Sequence, residues 1–97
     1  MYKWFTGPLA ANLAAAEAGD AAAQHAMGYR YFSGHGVPKD AKQAAAWYRR
    51  AAEKGFAGTQ FGLGTMLYQG DGVPQNFKEA VKWLRLAAEQ GMPEAEV

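Results

Sequence analysis

Ser33 is the only serine in the chain, and Gly34, His35 and Gly36 follow it directly. A serine close to a histidine raises nucleophilic catalysis, in which an imidazole withdraws the hydroxyl proton. The setting does not sustain it. A nucleophile elbow flanks its serine with glycines on a strand-to-helix turn, and this sequence offers neither that context nor a Ser-x-x-Lys pair. Gly34-His35-Gly36 and Gly70-Asp71-Gly72 could be mistaken for phosphate-cradling loops. A dinucleotide fingerprint needs a preceding strand and a third glycine that packs helix on strand, so both read instead as tight turns after helices. His25 and His35 are ten residues apart, with no His, Asp or Glu three or four positions on. A zinc site needs three or four ligands, so no metal and no cofactor is expected. Glu17, Glu53 and Glu89 recur at one interval of 36 and suit surface charge pairing better than paired acid–base work.

Composition narrows the function further. A chain of 97 residues with 49% apolar and 13% aromatic content can build one small core. The net charge of +1, with both signs interspersed, gives no electrostatic case for nucleic acid. No window is long and apolar enough for a membrane helix, and Met1 to Phe5 gives way at once to Thr6-Gly7-Pro8 rather than to a signal-peptide core. The absence of cysteine excludes disulfides and is compatible with cytoplasm or periplasm.

The elements that must carry any function come from a repeat. Ala15-Ala16-Glu17-Ala18-Gly19, Ala51-Ala52-Glu53-Lys54-Gly55 and Ala87-Ala88-Glu89-Gln90-Gly91 are spaced by 36 residues, and roughly 15 of 36 pairs are identical between 20–55 and 56–91. Each period divides into two helical segments: about 21–33 and 41–54 in the first copy, about 57–69 and 77–90 in the second. Asp40 with Gln43 and Asn76 with Glu79 have capping-box spacing, and Gly55 and Gly91 stand where a helix ends in left-handed backbone. Mid-helix Gly28 and Gly64 predict close approach of a neighbouring helix. Ala44, Trp47, Tyr48 and Ala51 make one packing stripe, matched by Ala80, Trp83, Leu84 and Ala87. Scarce β-branched residues and abundant alanine complete an all-α reading.

The series Ala21-Ala22-Ala23-Gln24, Met27-Gly28, Tyr31, Gly34 to Pro38, Ala44, Trp47 and Ala51 to Gly55 resembles the Sel-1-like repeat, a relative of the tetratricopeptide repeat. The resemblance implies a right-handed superhelical solenoid of antiparallel helix-turn-helix repeats with a 36-residue period. The chain then divides, within one repeat domain spanning 1–97, into a partial repeat or cap (1–19), two repeats (20–55 and 56–91) and the start of another (92–97). Pro8 is placed to start a short helix with Leu9 and Leu13 on one face.

In similar proteins the first helices of successive repeats line a concave groove for peptide or protein segments. On a helical wheel that groove takes Ala22, His25, Tyr29, Phe32 and Ser33 from the first copy and Gly58, Phe61, Thr65, Tyr68 and Gln69 from the second. The expected function is therefore a non-catalytic protein- or peptide-binding scaffold, without nucleic acid or membrane insertion. Two alternatives stand beside it. One is binding or hydrolysis of β-lactams or cell-wall fragments, linked to some cysteine-rich proteins resembling this family; the other is a spacer within a longer array. Leu86 in place of Arg50 should leave apolar surface outward, which fits either a piece of a longer array or a homodimer through the C-terminal end.

Overall fold

The computed structural model describes residues 9–91. They form five helices: α1 (Leu9–Glu17), α2 (Ala21–Ser33), α3 (Ala41–Glu53), α4 (Ala57–Gln69) and α5 (Phe77–Glu89), with no strand among them. The α2–α3 and α4–α5 hairpins are the two repeats, and α1 precedes them. Pro8 and residues 92–97 lie outside the described residues. None of the described helices is long and apolar enough to cross a membrane.

Helix ends fall where the polar and glycine residues put them. The Asp40 carboxylate accepts the Lys42 and Gln43 N–H groups, and the Asn76 side-chain oxygen accepts that of Glu79. The second half of the box does not form at Asn76. Its own N–H donates to the Leu67 carbonyl at 2.9 Å, as that of Asp40 donates to Tyr31 at 2.8 Å, so each hairpin is tied back to its first helix. The Glu79 carboxylate turns outward instead. It accepts Arg49 Nη1 at 2.8 Å and Trp83 Nε1 at 3.2 Å, and the Arg49 hydrogen bond holds its pKa below the ordinary 4.5.

Two apolar clusters run through the stack. One joins Ala44, Ala45, Tyr48 and Ala52 of α3 to Leu63, Met66 and Leu67 of α4 and Ala80 and Trp83 of α5. The other joins Ala16, Ala23 and Met27, with Leu9, Leu13 and Trp47 packed against them. Burying a side chain such as Met27 or Leu63 contributes about 1.5–3 kcal/mol, and alanine at the remaining contacts lets the helix backbones come close enough to share it.

The glutamine that repeats as Gln24 and Gln60 carries the register between units. Gln24 Nε2 donates to the Ala16 carbonyl at 3.0 Å and Gln60 Nε2 to the Ala52 carbonyl at 3.2 Å. Both amides are buried and each reaches back eight residues to the preceding helix. Gln90 then donates to Gln60 Oε1 at 2.7 Å. Its counterpart one period earlier is Lys54, which donates to the Gly19 carbonyl instead, and Gln24 Oε1 is left without a partner.

Candidate functional site

The site starts from two glycines and a ring. A Cβ at Gly28 would overlap the Tyr48 ring, and one at Gly62 would sit 3.2 Å from its Cε2. With no side chain on either, α2 approaches the Cδ1–Cε1 side and α4 the Cδ2–Cε2 side of a tyrosine that α3 supplies. The expected close approach at Gly28 is thus to an aromatic ring rather than to a helix backbone. At Gly64 the neighbours are Leu84, the counterpart of Tyr48, and the Ala80 carbonyl.

Tyr48 forms the floor of a hollow of about 170 Å³. Its walls are Tyr29 and Phe32 of α2 with Phe61, Gly62, Thr65, Met66 and Gln69 of α4, so both repeats contribute. None of these residues is charged at neutral pH. Burial, and secondarily the nearby Tyr29 phenol, pushes the Tyr48 hydroxyl up to about 12. The Thr65 hydroxyl donates to the Phe61 carbonyl at 2.9 Å, within its own helix.

Of the ten residues that the wheel assigns to a groove, Tyr29, Phe32, Phe61, Thr65 and Gln69 line this hollow together. Ala22, His25, Ser33, Gly58 and Tyr68 do not. His25 lies lower and ties the repeats to each other: its Nδ1 is 2.8 Å from Thr59 Oγ1. Its ring stacks on Tyr48 at 5.4 Å and meets Phe56 at 5.3 Å, with Gly58 beside it. Ser33 donates to the Tyr29 carbonyl at 2.8 Å, a local bond that closes the helix. Tyr68 turns toward α5 and packs edge-on against Phe77 at 5.1 Å. The wheel omits Tyr48, Gly62 and Met66, which the structure places in the lining. The available signal was Gly62 itself, where the first copy has Ala26.

His25 makes the inter-repeat contact sensitive to acid. Burial lowers its pKa below 6.5, so the fold favours the neutral ring and the unfolded chain takes up the proton first. The stabilisation is complete above pH 6.5 and declines as pH falls toward the folded-state value. Urea midpoints measured from pH 7.5 to 5 should therefore fall with acidification. In His25→Phe, which installs the residue found at Phe61, that slope should flatten; an unchanged slope would assign it to other groups.

Among the described residues no group of three or more His, Cys, Asp or Glu is placed to hold a metal ion. Residues 21–56 and 57–92 each match the Sel1 repeat. A 36-residue stretch, 37% of the chain, is 56% identical to the secretory immunoglobulin A-binding protein EsiB of Escherichia coli O6:H1, of which it covers 7%. Among solved structures, a Sel1 repeat protein from Oxalobacter formigenes superposes with a TM-score of 0.86 at 43% identity, covering 87% of this chain and 24% of that one. The c5321 protective antigen of uropathogenic Escherichia coli, which has an SLR fold, gives 0.89 at 41% identity over 97% of this chain and 22% of its own. Helicobacter pylori cysteine rich protein B gives 0.82 at 31% identity, covering 87% and 63%. The chain spans less than two thirds of each of these proteins. The glycine, alanine, glutamine and tryptophan positions that hold its helices together lie within two successive matches over 21–92, and the chain belongs to the Sel1 repeat family.

Proposed function

We propose that this chain is a non-catalytic scaffold that binds a peptide or protein segment across α2 and α4, with one large apolar side chain of the ligand seated in the hollow over Tyr48. The observation that carries this reading is that two successive repeats share one uncharged, aromatic-walled hollow while Tyr29 and Phe32 remain 41% and 38% exposed. A volume of about 170 Å³ is below the roughly 300–1,000 Å³ of sites that enclose small molecules. It suits an anchoring side chain better than a whole β-lactam. EsiB is named for binding secretory immunoglobulin A; a protein ligand is the class carried over, not that antibody.

The non-catalytic part rests on Ser33, whose hydroxyl is engaged with its own helix. Site-specific labelling of Ser33 by a β-lactam probe would overturn it. For the binding part, peptides selected on the intact chain from a random library should lose at least about tenfold in affinity, or 1.4 kcal/mol, in Tyr29→Ala/Phe61→Ala. Helicity should be unchanged. Selected peptides whose amide perturbations avoid α2 and α4, or a variant that loses its fold together with binding, would count against the groove.

A further inference from the structure

Charge is divided unevenly between the first and second helices of the repeats. Lysine, arginine and glutamate are spread along α3 and α5, whereas α2 and α4 together carry Arg30 alone. Arg30 is buried, its Nε donating to Asn12 of α1 and its Nη1 to the His35 carbonyl. The two helices that wall the hollow therefore offer no carboxylate to a cation and no exposed cation to an anion. A charge buried without a partner is costly, so charge complementarity selects an uncharged ligand segment. The hollow also has the dimensions of a ring. An apolar cavity of roughly 150 Å³ takes a benzene molecule, and this one is about 170 Å³. Four of its lining residues are aromatic: Tyr29, Phe32, Tyr48 and Phe61. His25 stacks on one face of Tyr48, and Gly28 and Gly62 lie at its two sides, which leaves the opposite face and the hydroxyl end for the hollow.

We infer that the bound segment is uncharged and anchors itself by a phenylalanine ring over Tyr48, while the Gln69 amide hydrogen-bonds its main chain beside the anchor. The inference rests on the binding face proposed above and specifies what that face selects. Aromatic rings packed edge-on or offset gain more than their buried area alone supplies, so a ring outdoes an aliphatic side chain of equal size here. Phenylalanine also brings no polar atom that would need a partner inside the hollow. Gln69 is the polar lining residue available to the ligand's backbone. The Thr65 hydroxyl is engaged with the Phe61 carbonyl, but the Gln69 side chain is exposed and makes no hydrogen bond within the protein. Its carboxamide supplies one acceptor and a donor group, the complement of a peptide unit.

The test uses the intact 15N-labelled chain and four acetylated, amidated glycine–serine peptides that differ in one central residue: phenylalanine, cyclohexylalanine, leucine or trimethyllysine. The phenylalanine peptide should shift amides of α2 and α4 around Tyr29, Phe61 and Gln69. It should bind at least about fivefold more tightly than the cyclohexylalanine and leucine peptides, and added salt should leave its affinity unchanged. Gln69→Ala, at an exposed position, should weaken every peptide by a similar factor and preserve their order, whereas Tyr29→Ala/Phe61→Ala should abolish the order. Cyclohexylalanine or leucine binding as well as phenylalanine would overturn the aromatic anchor, and trimethyllysine binding best would overturn the neutral ligand. An unchanged affinity in Gln69→Ala would remove the main-chain contact. Binding of none of the four overturns this inference while leaving the face itself to the random library, whose failure on α2 and α4 would remove both.

Discussion

Replacing Gly72 with alanine should part the two repeats at their loops, at a cost of about 2–5 kcal/mol. The estimate has two sources. Gly72 has φ +76°, a left-handed conformation that costs a residue with a Cβ about 1–2 kcal/mol. The added methyl would also overlap the carbonyl of Ala41 at the start of α3. That obstacle is backbone and cannot rotate away, so the loop must move, at the roughly 1–3 kcal/mol typical of overpacking. Gly36 provides an internal control, because it occupies the same place in the first repeat with φ +80°. A Cβ there would lie 2.8 Å from Arg30 Nη1, the end of a buried side chain that hydrogen-bonds Asn12 and the His35 carbonyl, rather than from backbone. Urea denaturation should rank the variants Gly72→Ala well below Gly36→Ala, and the difference measures the contact between repeats. Equal losses would mean that the overlap with Ala41 costs no more than displacing Arg30. Against a total stability of about 5–15 kcal/mol for a domain of this kind, the larger loss lowers the melting temperature by roughly ten degrees or more.

The contrast between these two glycines also marks how far the sequence can be read. Gly34-His35-Gly36-Val37-Pro38 and Gly70-Asp71-Gly72-Val73-Pro74 look equivalent, and as local structure they are. The helix ends were legible for that reason: caps at Asp40 and Asn76 and glycines at 55 and 91 act on residues within one turn, and α2 and α4 begin and end at the expected residues. Glu79 shows where local reasoning stops. Three residues after Asn76 it has the spacing of a capping partner, but the competing donor Arg49 is 30 positions away and lies beside it only after the units stack. The faces of α2 were legible to the same extent. A wheel separates one face of α2 from another, and Ala23, Gln24 and Met27, which share a side, are buried. It carries no information about the turn from one repeat to the next. That turn brings Thr59 and Phe56 onto His25, while the fold of the α4–α5 hairpin sets Tyr68 against Phe77. The exposure of Leu86, by contrast, follows from the repeat alone and agrees with the structure.

Tyr48→Ala should be the other severe substitution, at about 3–5 kcal/mol, the range for truncating a buried aromatic side chain. Tyr48 belongs to α3 but touches every element around the hollow: Gly28 on α2, Gly62 on α4 and the stacked His25 ring. Removing it deletes the floor and leaves two glycines facing a void that no neighbouring side chain is placed to fill. Tyr48→Leu, which copies Leu84 from the second repeat, should recover part of the loss by refilling the space between the glycines, without restoring the stack on His25. The decisive comparison is a double-mutant cycle with Gly28→Ala. In the native background the new methyl meets the ring, whose far edge lies against Gly62 and on which His25 stacks, so Gly28→Ala alone should destabilise despite alanine's better helix propensity. In the Tyr48→Ala background the same methyl enters the void and should become neutral or stabilising. The two substitutions should therefore couple by more than about 1 kcal/mol, as contacting residues do. Additive losses would show that Tyr48 is not the contact that makes glycine necessary at position 28, and with it would go the account of how α2 and α4 close to form the hollow.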